Sequence, residues 1–189
     1  MSIEKAKATD IVASSLVANT GASETAHATG KYVVECHDAE GNLKWVTETP
    51  NLVVNVGLQY MAGVALTSTA QITAWYIGLY GAASSNNPAA TDTLATHAGW
   101  TEITPYSGTR PAATFASATN ANPSVVTNSA SKAQFTINAT ATVGGAFLCS
   151  AASGTTGTLF SAADFSSPGD RSVVSGDVLS VTYTFSLAG

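Results

Sequence analysis

The sequence predicts an all-β protein: an antiparallel β-sandwich of jelly-roll type, with one short helix and an extended N-terminal arm. Three observations predict it. In residues 132–149, KAQFTINATATVGGAFLC, the side chains Phe135, Ile137, Ala139, Ala141 and Val143 alternate with Gln134, Thr136, Asn138, Thr140 and Thr142. That period of two sets one face on a core and the other toward water. Near the end of the sequence, Leu179, Val181, Tyr183, Phe185 and Leu187 alternate as cleanly with Ser180, Thr182, Thr184 and Ser186. Over the whole chain, eight or nine short strands are separated by turn signals, and no repeat of fixed period recurs, which disfavours a solenoid or propeller.

Taken in order, residues 1–29 form one unit and residues 30–189 a single β-sandwich domain. The first stretch carries sparse apolar residues, Ile3, Ile11, Val12, Leu16 and Val17, among small and polar ones, with room for a short helix over 10–17. It reads either as a tail or as an arm that orders on a neighbouring subunit through Ile3, Ile11, Leu16 and Val17, the candidate partner-binding residues. Residues 31–38 alternate as a strand with Tyr32, Val34 and Cys36 on one face. Asp38-Ala39-Glu40-Gly41-Asn42 is turn chemistry, and residues 43–47 return as the second arm of a hairpin around Trp45, closed by Pro50. Residues 52–54 form a short strand, Asn55 is placed to cap a helix, and residues 56–66 are that helix, with Leu58, Met61, Ala62 and Ala65 at helical spacing.

ITAWYIGLY, residues 72–80, has almost no polar face and suits a central strand covered on both sides. Residues 82–91 read as a loop, 100–103 as a strand, 105–108 as a turn, 112–116 as a strand and 119–128 as another loop. Gly144-Gly145 inside the long alternating stretch signals a bulge, a bend or a close backbone approach. Residues 154–158 are a turn, 159–165 an irregular segment, and 175–177 the turn before the last strand.

Composition narrows function. Charged residues are 10% of the 189, against about 25% in ordinary domains. With 45% hydrophobic residues the chain is packed, and its Thr- and Ser-rich surface suits contact with copies or partners. Abundant strand edges need covering, so a homo-oligomer, a dimer or trimer, is expected. A net charge of -5 with scattered Lys and Arg excludes a nucleic-acid grip. No run is long enough to span a membrane, and no signal-peptide pattern opens the sequence. Cys36 and Cys149 fall in alternating strands and are expected as buried free thiols.

The residues that carry chemistry form no pattern. His27, His37 and His97 have no second metal ligand at the usual spacing, and Cys36 and His37, adjacent on a strand, point to opposite faces. Asp92, His97 and Glu102 share one segment, but no Ser stands in a strained elbow to complete a triad. The acids Asp38, Glu40, Asp164, Asp170 and Asp177 sit in turns, where they cap backbone N–H groups, and not as a facing pair for glycoside cleavage. Trp75, Tyr76, Tyr80, Trp100 and Tyr106 suit core or interface packing better than a sugar platform. The expectation is a non-enzyme without cofactor or metal.

Several stretches in one order, GKYVVECHDAEGNLKWVTETPNLVVNVGLQYM, AWYIGLYG, HAGWTEITPYSGTRP, SASKAQFTINATATVGGAFLCS and GDRSVVSGDVLSVTYTFSL, resemble a family of tailed-bacteriophage structural proteins. The resemblance runs from about Gly30 to Leu187 and contains no catalytic signature. It implies a small β-sandwich virion component, made in the host cytoplasm and carried on the particle. The reading that follows is a capsid decoration (cement) protein whose partner is the major capsid protein. The alternative is a tail or fibre component that recognises a host-surface glycan. The absence of a fibrous repeat or heptad stalk favours the first.

Overall fold

The computed structural model describes residues 26–81, 88–165 and 169–189. Among them are eleven strands and one helix: β1 (His27–His37), β2 (Leu43–Pro50), β3 (Leu52–Val53), α1 (Asn55–Leu66), β4 (Tyr76–Gly81), β5 (Glu102–Ile103), β6 (Ser124–Thr127), β7 (Ala133–Thr136), β8 (Ala141–Cys149), β9 (Leu159–Asp164), β10 (Arg171–Val173) and β11 (Val178–Ala188). They form two antiparallel sheets packed as a sandwich. The first has the order β2-β1-β11, with β6 and β7 both paired to β11. The second has the order β3-β9-β8-β4-β5, with β10 paired to β8.

Period-two alternation builds the first sheet. Tyr32, Val34 and Cys36 of β1 lie directly opposite Tyr183, Val181 and Leu179 of β11, and all six are buried. Their outward neighbours carry Thr and Ser or paired charges: Lys31 bonds Glu48 at 2.9 Å, and Lys132 bonds Glu35 at 2.7 Å. The β1–β2 turn is held by the Asp38 carboxylate, which accepts the N–H groups of Glu40 and Asn42, while Gly41 takes a φ of 86° that disfavours a side chain. Trp45 donates its indole N–H to the Ser172 carbonyl and Arg171 donates to Thr47 Oγ1, so the β2 edge is stitched to β10 of the other sheet.

The second sheet is covered on both faces. On β4, Ile77 and Leu79 enter the core between the sheets, whereas Tyr80 joins Phe147, Cys149, Leu159, Val54, Leu94 and Trp100 in a second cluster on the far face. Gly78 stands opposite Phe147 and Tyr80 opposite Gly145. A Cβ on Gly78 would overlap the Phe147 ring, and one on Gly145 would overlap the Tyr80 ring and the Ala163 carbonyl. Gly145 is therefore a close approach of backbone to ring.

The structure moves several boundaries. β1 begins at His27, so residues 27–29, placed with the arm from sequence, pair with β11. The alternating stretch 132–149 divides between sheets: β7 pairs β11, and β8 pairs β4 and β9. The crossing follows Ile137, whose N–H bonds the Asp177 carbonyl, and Asn138, whose N–H bonds the Pro105 carbonyl; Ala139 is consequently exposed. Residues 159–165, expected to be irregular, contain the buried strand β9. LFSAA does not alternate because both of its faces are covered. β6 lies in the expected loop 119–128, while 112–116 supplies only a bridge from Ala112 to Tyr76.

The helix also turns differently. Val54 occupies the cap position, with no side-chain bond, and Asn55 is the first helical residue. Gly57 is the buried position, because a Cβ there would strike the Phe160 carbonyl of β9. That contact rotates Tyr60, Met61 and Val64 inward and leaves Leu58, Ala62 and Ala65 exposed.

Candidate functional site

The structure separates the three groups that sequence placed in one segment. Asp92 is buried and accepts the Trp100 indole N–H at 2.9 Å and the Ala89 N–H at 3.0 Å. His97 stacks on Trp100, ring centroids 3.7 Å apart, with Nδ1 2.8 Å from the Trp100 carbonyl oxygen. Glu102 turns to Arg110, which donates Nε–H to Oε1 at 2.7 Å. Asp92 and His97 thus clasp Trp100 into a lid over the far-face cluster.

Arg110, which sequence reasoning passed over, is 3% exposed. Besides Glu102 it donates to the carbonyls of Ala151 and Gly154, and its guanidinium lies 5.2 Å from the Phe147 ring centre. One side chain thereby fastens β5, the loop after β8 and the far-face cluster. Its only sequence signal was a lone Arg before Pro111.

Both cysteines are free and buried. Burial, with the charge of Asp177 adding to it, pushes the Cys36 thiol up to about 11; burial also raises Cys149. Among the described residues, no three His, Cys, Asp or Glu side chains stand close enough to hold a metal ion. Of the five singled-out aromatics, Tyr80, Trp100 and Tyr106 are buried, and burial raises Tyr106 to about 12. Trp75 and Tyr76 are half-buried.

Trp75 marks the feature that stands out. Beside the last residues of β11, where Phe185 and Leu187 lose their cover among the described residues, an apolar groove of about 370 Å³ opens. Tyr60 and Met61 of α1, Trp75, Phe160 of β9, and Phe185 and Leu187 of β11 line it. Its aromatics form an edge-to-face chain: Tyr60 to Trp75 at 5.5 Å, Trp75 to Phe160 at 5.4 Å, and Phe160 to Phe185 at 5.5 Å. The Tyr60 hydroxyl accepts the Ile72 N–H at 2.7 Å, fixing the segment after α1 as the groove wall. No Asp, Glu, His, Lys or Arg is among the described residues lining it. A lining of this kind suits apolar side chains.

Alternation along β11 predicts Phe185 and Leu187 as core, yet Phe185 is half-buried and Leu187 is 43% exposed. Ala28 pairs with Leu187 and His27 with Ala188, so the chain preceding β1 joins the body beside this groove. The four partner-binding candidates Ile3, Ile11, Leu16 and Val17 lie outside the described residues. Compared with protein-family models, with curated proteins and with solved structures, the chain matches none.

Proposed function

We propose that the protein is a virion structural component that works by contact rather than catalysis, as a capsid decoration (cement) protein seated on the major capsid protein. The observation that carries this reading is the outward face of the first sheet, where Val33, Thr182, Thr184 and Thr127 lie among Lys and Glu neutralised in pairs, a nearly uncharged surface suited to contact. Two features support it. The apolar, aromatic-lined groove beside the last residues of β11 has no Asp, Glu, His, Lys or Arg among its described lining residues, the chemistry of a contact surface. The sequence before β1 carries scattered aliphatic residues, and β1 itself begins beside the groove residue Leu187. Self-association as a dimer or trimer goes with this function, because a decorated shell repeats its contacts by symmetry.

Copy number in purified particles tests the proposal. Hundreds of copies accord with a decorated shell; roughly three to eighteen would move the protein to the tail or a fibre, with a host glycan as ligand. Turnover of a host polysaccharide, lost on changing Asp92, His97 or Glu102, would replace contact with catalysis.

A further inference from the structure

We infer that the groove is the seat of residues 11–17 of the same chain, IVASSLV, which dock in it through Ile11, Val12, Leu16 and Val17. The inference does not depend on the virion reading. Four observations lead to it. Apart from Gln71 the described lining of the groove is aliphatic and aromatic, and its volume of about 370 Å³ is more than twice the roughly 150 Å³ that accommodates a benzene-sized guest, room for a few aliphatic side chains. Residues 1–25 precede the described chain, and Ile11, Val12, Leu16 and Val17 are the densest aliphatic group among them.

Location comes next. β1 starts at His27 beside Ala188, and Ala28 lies directly opposite Leu187, a groove residue. Residues 18–26, ANTGASETA, are the only connection the segment needs; nine residues reach about 30 Å when extended. They include Asn19-Thr20-Gly21, turn chemistry suited to reversing the chain back toward the groove.

Concentration then decides between this chain and a second copy. A connection this short presents its own segment at about millimolar effective concentration, well above that of a second copy in dilute solution. Docking of residues 11–17 leaves Ile3, alone of the four anchors read from the sequence, free to reach a partner.

A cross-link tests this in the full chain. Ala65 lines the groove with an exposed side chain, and Ser15 falls between Val12 and Leu16, so Ser15→Cys and Ala65→Cys place one thiol in each element. Cys36 and Cys149 are buried and do not compete. Treatment with a short bis-maleimide should give an internally linked product of monomer mass, its yield unchanged on ten-fold dilution. A mixture of the two single variants should give no linked pair. Adding Leu16→Asp and Val17→Asp should abolish the link and, in a Trp45→Phe background, shift the emission of groove-lining Trp75 to the red, with the far-UV spectrum unchanged. Dimer-mass product from the mixed single variants would overturn the inference and assign the groove to a second copy. An absent link together with Trp75 emission indifferent to Leu16→Asp and Val17→Asp would overturn it in favour of a foreign partner.

Discussion

The two sheets of this protein are built on different rules. In the first, β1 and β11 send Tyr32, Val34, Val181 and Tyr183 inward and expose Val33, Glu35 and Thr182 at least partly on the other side. In the second, β4, β8 and β9 bury side chains on both faces, because the Ala89–Trp100 lid and the Val54 approach to α1 cover the side away from the sandwich. Among the described residues, one sheet therefore has an uncovered face to offer a partner, and the other is covered on both sides. Strand pattern tracks the difference: clean alternation marks the face left to solvent, and unbroken apolar runs mark a sheet closed on both sides.

Truncating aromatic rings should separate the closed parts of the two sheets from the groove. Phe147→Ala, on the far face of the second sheet, should cost about 3–5 kcal/mol in chemical unfolding, as should Phe135→Ala between the sheets. Phe185→Ala in the groove should cost about 1–2 kcal/mol, since its ring is half-buried. Equal losses at all three would erase the distinction between the closed parts and the groove.

Arg110→Met should cost about 3 kcal/mol, because Glu102 and two loop carbonyls lose their partner. A midpoint shift in urea would measure it, with the second sheet as the part that loosens. Gly145→Ala, which adds a single methyl, should cost about 1–3 kcal/mol by forcing the Tyr80 ring or the Ala163 carbonyl aside; an unchanged melting temperature would show that the pair of strands can spread.

Two aspartates sharpen the comparison through pH. Burial pushes Asp177 up, but the Lys44 ammonium at 2.6 Å and the Val174 N–H outweigh it, and its carboxyl sits below the ordinary value. A depressed folded pKa stabilises above the unfolded value of about 3.9, and the contribution fades as pH falls through the folded one. Asp177→Asn should thus cost about 2 kcal/mol at pH 7 and progressively less in acid. Asp164, at the end of β9, is raised by burial and then by the charge of Asp170. Its ionisation works against folding, so Asp164→Asn should gain stability as pH rises above about 4 and change little below it. Melting curves at pH 3 to 7 that moved both variants the same way would contradict the assignment.

At the small end, Thr182→Ala and Thr140→Ala should stay within about 0.5 kcal/mol of the parent in thermal unfolding. A larger loss at Thr182 in the isolated protein would mean that the face is already covered by another copy.

Sequence revealed the first sheet better than the second, for a physical reason. Tyr32, Val34 and Cys36, and Leu179, Val181 and Tyr183, show their face by alternation, and the fold class follows from them. β9 hid because Leu159 to Ala163 are buried on both sides, which leaves no period to detect. The split of residues 132–149 hid because alternation records which way a side chain points, not which strand lies alongside. The helix face depended on Gly57, whose role is the absence of a side chain against Phe160. The groove was illegible for a related reason: Phe185 and Leu187 continue the alternation of β11 without a break, and they form a surface only because no other described residue covers them.

The placement of the two thiols gives the protein a pair of built-in clocks. Cys36 lies between the sheets and Cys149 in the far-face cluster, both fully shielded, so neither reacts with a thiol reagent until its own compartment opens. Labelling rates at the two sites therefore read two breathing motions in one native molecule. Equal rates would mean that the protein opens as a whole. A faster Cys149 would mean that the Trp100 lid lifts while the sandwich stays shut.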